Sequence, residues 1–391
     1  MPKASGRART APTGRAHVYV QPPRGARAPL WLTARSHSLP PPPRLQPPPP
    51  AHTLRGNIIL GGSAMKPVRW GVLGNAKFAR DHMAPAIHMA ENAELVALAT
   101  SNPGKATGWD FHPGLKQVSY DDLLADPSID AVYIPLPNHI HVEWTLKAIA
   151  AGKHVLTEKP ISMTAGEIDQ LIAARDKSGL LVAEAYMIVH HPQWIRAREL
   201  VQGGAIGQLR HIDAAFSYNN ADDLQNIRNR PETGGGGIRD IGVYTYGSAR
   251  FVSGGEGEDI SCRMIRENGV DVWAQLDGII SGPLGRATYS AMTSMRLQNR
   301  QEVTFHGDKG LLKVANGPFN ANLFAEARIE LHNGQTITSE RWPDANHYKL
   351  QVENFGRSIR TGAAYACPLE FTIGTQRMID RAFEVARDIS I

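Results

Sequence analysis

The sequence predicts two folded parts: an α/β domain with a doubly wound parallel sheet, and an α+β domain with a large, mainly antiparallel open sheet. Two observations support this prediction. Between Val68 and Tyr186, short apolar runs alternate with helical segments, which is the order that right-handed crossovers between parallel strands produce. After Tyr186, apolar side chains recur at every second position over long stretches, as in strands with one covered face.

The first folded part begins with a strand that ends in a glycine-containing turn. Helical and extended segments then alternate along the chain. The predicted strands lie at 68–73, 94–100, 131–134, 154–157 and 181–185, and the predicted helices at 79–89, 120–125, 139–151 and 165–178. These elements predict a Rossmann-type, nucleotide-binding domain over residues 65–185.

The second folded part, residues 186–391, opens with a predicted helix at 192–202. Alternating residues predict a strand from Val270 to Asp277 and further strands at 207–217, 283–292, 301–305 and 328–331. Two helices, at 350–361 and 371–388, end the chain, and we expect the last to pack back on the first domain. We expect the second domain to bind substrate and to form oligomers through its sheet.

Residues 1–64 differ in composition from the rest of the chain. They contain nine basic residues, no acidic residue and 13 of the 27 prolines, which predicts a disordered segment. Three explanations stay open: a disordered tail, an organellar transit peptide, or upstream sequence that precedes a native start at Met65. In each case the folded body begins after the tail.

Charge and composition exclude several classes of protein. The net charge of +5 belongs to the tail, because residues 65–391 carry 33 basic against 37 acidic residues; nucleic-acid binding by the folded body is therefore disfavoured. No apolar stretch approaches 20 residues, so the sequence predicts no membrane span. Cys262 and Cys367 are too few for a disulfide framework, which favours a reducing compartment and a cytoplasmic protein.

The turn after the first strand is a candidate nucleotide site. From Gly74 to Ala79 it reads GNAKFA, which matches Gly-x-Gly-x-x-Gly with alanine at the second and third glycine positions. Gly74 permits a tight turn, and the small alanines let the backbone approach a pyrophosphate at a helix N-terminus. Ordinary strand-to-helix turns share this pattern, but its position at the first turn of the alternating series favours nucleotide binding.

The end of the second strand bears on the choice of cofactor. An NAD-selective site places a carboxylate there for the ribose hydroxyls, whereas this chain has Thr100, Ser101 and Asn102, followed by Lys105. Hydroxyl, amide and ammonium groups suit a 2′-phosphate. The sequence therefore favours NADP over NAD, with NAD as the alternative.

Four motifs resemble those of one family. They read PLPNHIH at 135–141, EKP at 158–160, EAYM at 184–187 and DIGVY at 240–244. Together they resemble the Gfo/Idh/MocA (glucose-fructose oxidoreductase/inositol dehydrogenase) family over about residues 66–390, and Tyr244 is similar to its dihydrodiol and xylose dehydrogenase branch. The resemblance implies an NAD(P)-dependent oxidoreductase that transfers a hydride between a sugar, polyol or related carbohydrate and C4 of nicotinamide.

Three residues carry the chemistry that this resemblance implies. Oxidation of an alcohol requires a base for its proton, and we expect Lys159 and Tyr244 to act as a coupled proton-transfer pair. Asp240 lies one helical turn before Tyr244 and is expected to orient a sugar hydroxyl or the lysine. Each residue also has an ordinary explanation, as a surface lysine, a core tyrosine and a helix N-terminal carboxylate, but the motifs around them favour catalysis.

The expected contacts fall into a cofactor group and a substrate group. The cofactor group is Gly74, Asn75, Ala76, Lys77, Phe78, Thr100, Ser101, Lys105, Pro137, Asn138, His141, Glu158 and Lys159. The substrate group is Tyr186, His191, Arg228, Arg230, Asp240 and Tyr244. Two of these histidines also have a purely structural explanation. His141 could make only local hydrogen bonds at the start of a helix, and His191 could simply be held extended by the proline that follows it. No metal is expected, because the adjacent histidines 190 and 191 point apart.

The glycine run from Gly234 to Gly237 has the composition of a phosphate-binding loop. It follows no predicted strand and lacks the Lys-Ser/Thr pair of a P-loop. The sequence therefore predicts a flexible entry to the helix of Asp240.

Two other functions stay open beside the carbohydrate oxidoreductase. One is an NAD-dependent glycosidase of the same fold that oxidises its substrate transiently, and the other is a cofactor-binding sensor without turnover, since fold does not fix function. We expect a small-molecule carbohydrate as the partner, no nucleic acid or membrane, and a homodimer or homotetramer.

Overall fold

The computed structural model describes residues 66–104 and 106–390 of the chain. The tail predicted at residues 1–64 and Lys105 of the expected cofactor site lie outside the described residues.

The first sheet has six strands, all parallel, in the order β3-β2-β1-β4-β5-β6. The strands are β1 (Val68–Leu73), β2 (Ala93–Ala99), β3 (Lys116–Val118), β4 (Ala131–Ile134), β5 (His154–Thr157) and β6 (Val182–Glu184). The strand order reverses between β1 and β4, and the carboxyl ends of strands at such a reversal flank the crevice in which open α/β sheets bind ligands. The predicted doubly wound fold is confirmed.

Four α-helices connect these strands. They are α1 (Ala84–Met89), which continues a π-helical turn at Ala79–Met83, α2 (Tyr120–Ala125), α3 (His141–Ala150) and α4 (Ala165–Ser178). The bounds of α4 follow from local signals, since Glu167 accepts from the Thr164 amide at 3.0 Å and Gly179 ends the helix with φ of 67°. The sequence did not predict β3, because Lys116, Gln117 and Val118 form no apolar run.

The second sheet has nine strands in the order β14-β13-β12-β11-β7-β10-β9-β8-β15. The strands are β7 (Leu209–Asn219), β8 (Glu256–Glu267), β9 (Val270–Gly282), β10 (Gly285–Ser294), β11 (Arg296–Gly307), β12 (Leu311–Ala315), β13 (Arg328–Asn333), β14 (Thr336–Arg341) and β15 (Ala386–Asp388). Two pairs, β7 with β10 and β8 with β15, are parallel, and the other pairs are antiparallel. The predicted mainly antiparallel open sheet is confirmed.

The remaining α-helices are α5 (Pro192–Gln202), α6 (Val243–Ser253), α7 (His347–Thr361) and α8 (Leu369–Glu384). The prediction that the last helix runs to residue 388 was wrong. That helix ends at Glu384, and Ala386–Asp388 pairs instead with the edge strand β8, where Ile389 donates its amide to Met264 O at 2.8 Å. The unpaired backbone groups at the edge of β8 thus form hydrogen bonds with the last residues of the chain, which therefore form a strand instead of continuing the helix.

Both C-terminal helices contact the first sheet and its helices. Leu369 of α8 shares a buried apolar cluster with Val132 and Leu171, and Asp380 accepts the Ala165 amide at 2.7 Å. In α7, the Phe355 ring lies 5.2 Å from the Trp70 ring. These contacts fix the second sheet beside the carboxyl ends of β1, β4 and β5.

Candidate active site

A cavity of about 780 Å³ lies at the carboxyl ends of β1, β4 and β5, between the first sheet and elements of the second. Thirteen of the residues expected from the sequence line it: Gly74, Asn75, Ala76, Lys77, Phe78, Pro137, Asn138, His141, Glu158, Lys159, Arg228, Asp240 and Tyr244. Most of the expected cofactor group and half of the expected substrate group therefore share one space.

The turn after β1 has the geometry that a dinucleotide requires. Gly74 adopts φ of 138°, and a Cβ there would lie 3.0 Å from the Leu136 side chain. Asn75 is held by the Trp109 indole, which donates to Asn75 Oδ1 at 2.9 Å, and Ala79 is fully buried. A left-handed glycine and small side chains at the start of a helix form a cradle that fits a pyrophosphate.

The end of β2 does not reach this cavity. Thr100 is buried, and its hydroxyl oxygen accepts from the Asn102 amide at 3.3 Å, so it stabilises the local turn. Ser101 is exposed. Neither residue lines the cavity, because β2 lies one strand beyond β1 in the sheet. Their expected contact with the far end of the cofactor remains a proposal.

Asp240 is the centre of the polar network in the cavity. Its Oδ1 accepts from Lys159 Nζ at 3.0 Å, and its Oδ2 accepts from Arg228 Nε at 2.8 Å and from the Tyr218 hydroxyl at 2.7 Å. Burial opposes ionisation, but the adjacent Arg228 and Lys159 cations outweigh it and hold the pKa of Asp240 well below its usual range. Asp240 is therefore a carboxylate that orients two cations and a hydroxyl.

Lys159 reaches the cavity from the end of β5. Its ammonium donates to Asp240 O at 2.8 Å as well as to Oδ1, and it lies 4.8 Å from the centroid of the Tyr244 ring. An ammonium has three donors, so the two bonds to Asp240 leave one for a substrate oxygen. The preceding residue, Glu158, is held by the Tyr133 hydroxyl at 2.5 Å, and burial raises the pKa of this carboxyl.

Tyr244 forms one wall of the cavity. It is 6% exposed, and burial raises the pKa of its phenol. Its hydroxyl donates to Met187 Sδ at 3.6 Å, so in this structure the hydroxyl is not hydrogen-bonded to Lys159. The ring contacts Phe216 and Phe319, with centroids 5.8 and 5.5 Å away. Lysine and tyrosine are thus adjacent, but their contact is between the ammonium and the ring face.

Three residues of the expected substrate group lie outside the cavity. Tyr186 lies behind Tyr244 and donates its hydroxyl to Tyr244 O at 3.2 Å. His191 is fully buried and caps α5, where its Nδ1 accepts from the Gln193 amide at 3.1 Å. Arg230 is paired with Glu232 at 2.7 Å. The first two position other elements rather than contacting a ligand in this geometry.

His141 lines the cavity wall through local contacts. Its two ring nitrogens lie 2.7 Å from Pro160 O and 2.6 Å from Leu136 O, and burial lowers the pKa of His141 to about 4. The ring ties the turn after β4 to the turn after β5. Asn138 extends this link, since its amide donates to Gly234 O at 2.9 Å.

The glycine run before Asp240 is tightly packed, which contradicts the prediction of a flexible entry. A Cβ on Gly235 would lie 2.5 Å from Arg228 O, and one on Gly236 would overlap the Asp271 carboxylate. The Gly236 amide donates to Arg228 O at 2.9 Å, and Asp271 accepts the Ile238 amide at 2.7 Å. The missing side chains allow the chain to fold back and place Arg228 against Asp240.

Gly235→Ala is expected to destabilise the protein by about 1–3 kcal/mol, the usual result of overpacking. The melting temperature and kcat/KM should fall together, because the Arg228 backbone must move. Gly166→Ala is the matched control, since its Cβ would meet nothing within 4 Å in helix α4. That control should be neutral or stabilising by about 0.4–1 kcal/mol; equal melting temperatures for the two variants would contradict the packing argument.

Sequence reasoning missed several cavity residues on the second sheet. Tyr218 follows Phe216 at the i+2 position of β7, and Asn299 precedes Gln301 at the same spacing on β11; all four line the cavity. The alternation of the strand could have identified Tyr218, but the predicted strand ended one residue earlier, at 217. Asn299 was missed because the predicted strand began at 301. Among the described residues there is no group of three side chains suited to a metal ion, and no helix has the length and apolar character of a membrane span.

Comparison with known proteins places this chain in a family. Residues 68–186 match the Gfo/Idh/MocA oxidoreductase family with its NAD-binding Rossmann fold, and residues 194–313 match the C-terminal domain of the same family. An uncharacterised oxidoreductase (ORF334) from Rhizobium meliloti is 36% identical over 80% of this chain and 95% of its own length. The chain belongs to the Gfo/Idh/MocA family, as its motifs predicted.

Two further comparisons concern named enzymes. A D-xylose 1-dehydrogenase (NADP⁺) from Haloferax volcanii is 31% identical over 81% of this chain and 97% of its own length. KijD10, a 3-ketoreductase from Actinomadura kijaniata solved with NADP and TDP-benzene, aligns over 83% of this chain and 100% of its own, with a TM-score of 0.75 and 26% identity. This chain is thus similar to oxidoreductases that use NADP.

Proposed function

We propose that this protein is an NAD(P)-dependent oxidoreductase acting on a sugar, a polyol or a related carbohydrate. The observation that supports this most is the placement of Lys159, Asp240 and Tyr244 in the same cavity as the glycine turn after β1. A nicotinamide cofactor, when bound, accepts or donates the hydride at its C4. The residues that would hold it are Gly74 to Phe78 and, beside the nicotinamide end, Pro137 and Asn138.

The protein's own part in this reaction is proton transfer and positioning. Lys159 has one free donor for the oxygen that gains or loses a proton, and Asp240 fixes the direction of that donor. In carbonyl reduction, the carbonyl carbon gains a hydride while its oxygen takes a proton from the Lys159 ammonium, which becomes a neutral amine. Alcohol oxidation is the reverse: the neutral amine takes the hydroxyl proton while the hydrogen on carbon leaves as hydride. For Tyr244 to share this proton, its hydroxyl must exchange its hydrogen bond to Met187 for one to the substrate or to Lys159.

An absorbance assay tests this function. Crossing NADH and NADPH with keto sugars, and NAD and NADP with sugars and polyols, should give a stoichiometric change in the near-ultraviolet absorbance of reduced nicotinamide. Cleavage of a glycoside without net cofactor change would favour the NAD-dependent glycosidase instead. Tight cofactor binding without any turnover would favour a sensor.

The cofactor preference is proposed to be NADP. Ser101 follows β2 and is exposed, with no carboxylate beside it, which leaves a 2′-phosphate unopposed. Ser101→Asp should weaken NADP binding by about tenfold, equivalent to about 1.4 kcal/mol, and leave NAD affinity unchanged. Fluorescence titration of both cofactors measures this; tenfold tighter binding of NAD by the unmodified protein would contradict it.

The protein is further proposed to be a cytoplasmic homodimer or homotetramer that associates through the nine-stranded sheet. The partly exposed face of β9 and β10 carries Trp273, Ile279 and Met292 beside polar side chains such as Gln275 and Ser290, and a sheet face left open in this way is commonly covered by a second copy. Light scattering at micromolar concentration should give a dimer or tetramer mass, and Trp273→Arg should lower it. A monomer mass for the unmodified protein would contradict this assembly.

A further inference from the structure

The end of the cavity away from the glycine turn contains a buried amide with no partner. Gln301 is 7% exposed and lines the cavity, and neither its Oε1 nor its Nε2 has a hydrogen-bond partner among the described residues. It lies opposite Phe216 in the register of β11 and β7. An unpaired buried amide is costly, and it has both a donor and an acceptor. A hydroxyl, or two adjacent hydroxyls, would satisfy both atoms.

The charges of the cavity are held away from its mouth. Within the described part of the chain, three basic residues line the cavity: Lys77 pairs with Asp81, and Lys159 and Arg228 share the single carboxylate of Asp240. The loop at the cavity mouth adds two exposed acids, Asp222 and Asp223. A phosphate or diphosphate at the mouth would therefore face these two acids rather than a lysine or arginine of the cavity lining.

The mouth of the cavity is apolar instead. Ile227 and Phe324 line it while remaining 37% and 61% exposed. A Cβ on Gly317 would lie 3.3 Å from Phe324 Cβ and 3.8 Å from Gln301 Oε1, so the apolar rim and the unpaired amide are neighbours. Exposed apolar side chains beside a polar pocket are typical of a binding site, because a ligand that covers them removes apolar surface from water.

We infer that the natural substrate is an uncharged carbohydrate with an apolar substituent, whose hydroxyls bind Gln301 and whose substituent covers Ile227 and Phe324. This inference rests on the proposed function and adds the substrate class. It distinguishes this protein from a reductase of sugar nucleotides, although its structural neighbour KijD10 was solved with TDP-benzene.

Calorimetric titration of the NADP-loaded protein tests the inference. The probes are the methyl and phenyl β-D-glucosides, the corresponding xylosides, and dTDP-glucose. In at least one of the two sugar series, the phenyl glycoside should bind about tenfold more tightly than the methyl glycoside, and dTDP-glucose more weakly than both. Equal affinities for methyl and phenyl glycosides, or the tightest binding by dTDP-glucose, would overturn it.

Two variants separate the parts of the site. Phe324→Ser should abolish the preference for phenyl glycosides, whereas Ile337→Ser, at an equally exposed position on β14, should retain it. Gln301→Met keeps the side-chain volume and should weaken the binding of every glycoside by about tenfold, at an equal or higher melting temperature and unchanged NADP affinity. Unchanged glycoside binding in Gln301→Met would refute the role of the amide. Absence of binding by every sugar, with NADP still bound, would contradict the proposed function itself.

Discussion

Replacing Lys159 with alanine is expected to lower turnover by about 10²–10⁴-fold, the usual contribution of a positioned proton-transfer group. The ammonium is a charged group of the cavity with one donor left for a substrate oxygen, and its two bonds to Asp240 fix where that donor points. Cofactor affinity should change by no more than a few-fold, because the glycine turn after β1 is untouched.

Lys147→Ala is the matched control for this variant. Lys147 lies on α3 and forms an exposed ion pair with Glu143 at 2.5 Å, and exposed pairs contribute about 0–1 kcal/mol. Its turnover should equal that of the unmodified protein. Near-normal turnover in Lys159→Ala across the pH range would rule out the proposed chemistry, even with the fold and cofactor unchanged.

Asp240→Asn is expected to have the second largest effect, on both stability and kcat/KM. Three donors converge on the two carboxylate oxygens, and an asparagine has one oxygen and one NH₂ group in their place. In either orientation the NH₂ group faces Lys159 or the pair of Arg228 and Tyr218. Loss of a hydrogen bond to a charged group costs about 1.5–3 kcal/mol, so kcat/KM should fall by about 10–150-fold.

Asp388→Asn provides the control for charge removal. Asp388 pairs with Arg266 at 2.9 Å, and its side chain is 66% exposed, so its loss should change the free energy of unfolding by less than about 1 kcal/mol. Melting temperature and kcat/KM are measured for both variants. If Asp240→Asn matched Asp388→Asn in both quantities, the three hydrogen bonds to Asp240 would contribute to neither stability nor catalysis, which would contradict the prediction.

The order of elements could be predicted because five of the six strands of the first sheet are mainly apolar runs, whereas β3 is not and was missed. The strands Ala131–Ile134 and His154–Thr157 were predicted at their observed bounds. The long strand Glu256–Glu267 was not, because its outer face is charged and no apolar run marks it. The end of the last helix also failed, since it is set by a strand edge more than a hundred residues away in sequence.

The site shows the same division between local and distant causes. Lys159 and Asp240 were identified from short motifs, and the fold brings them together across 81 residues. Tyr186 and His191 lie in equally distinctive motifs, but both side chains are buried behind the cavity. They were wrongly expected to contact substrate because a motif does not show whether a side chain faces the cavity or packs behind its wall. Gln301 carries no signal at all, since only the register of β11 against β7 directs it into the cavity.

Isotope transfer measures the central claim most directly. The protein is incubated with a keto sugar that it reduces and with NADPH that carries deuterium at C4, in each of the two stereochemical forms. The deuterium content of the alcohol product is then measured by mass spectrometry. One stereoisomer should transfer one deuterium to the carbinol carbon, and the other none. An unlabelled product from both forms, or product formed without oxidation of the cofactor, would contradict hydride transfer in this site.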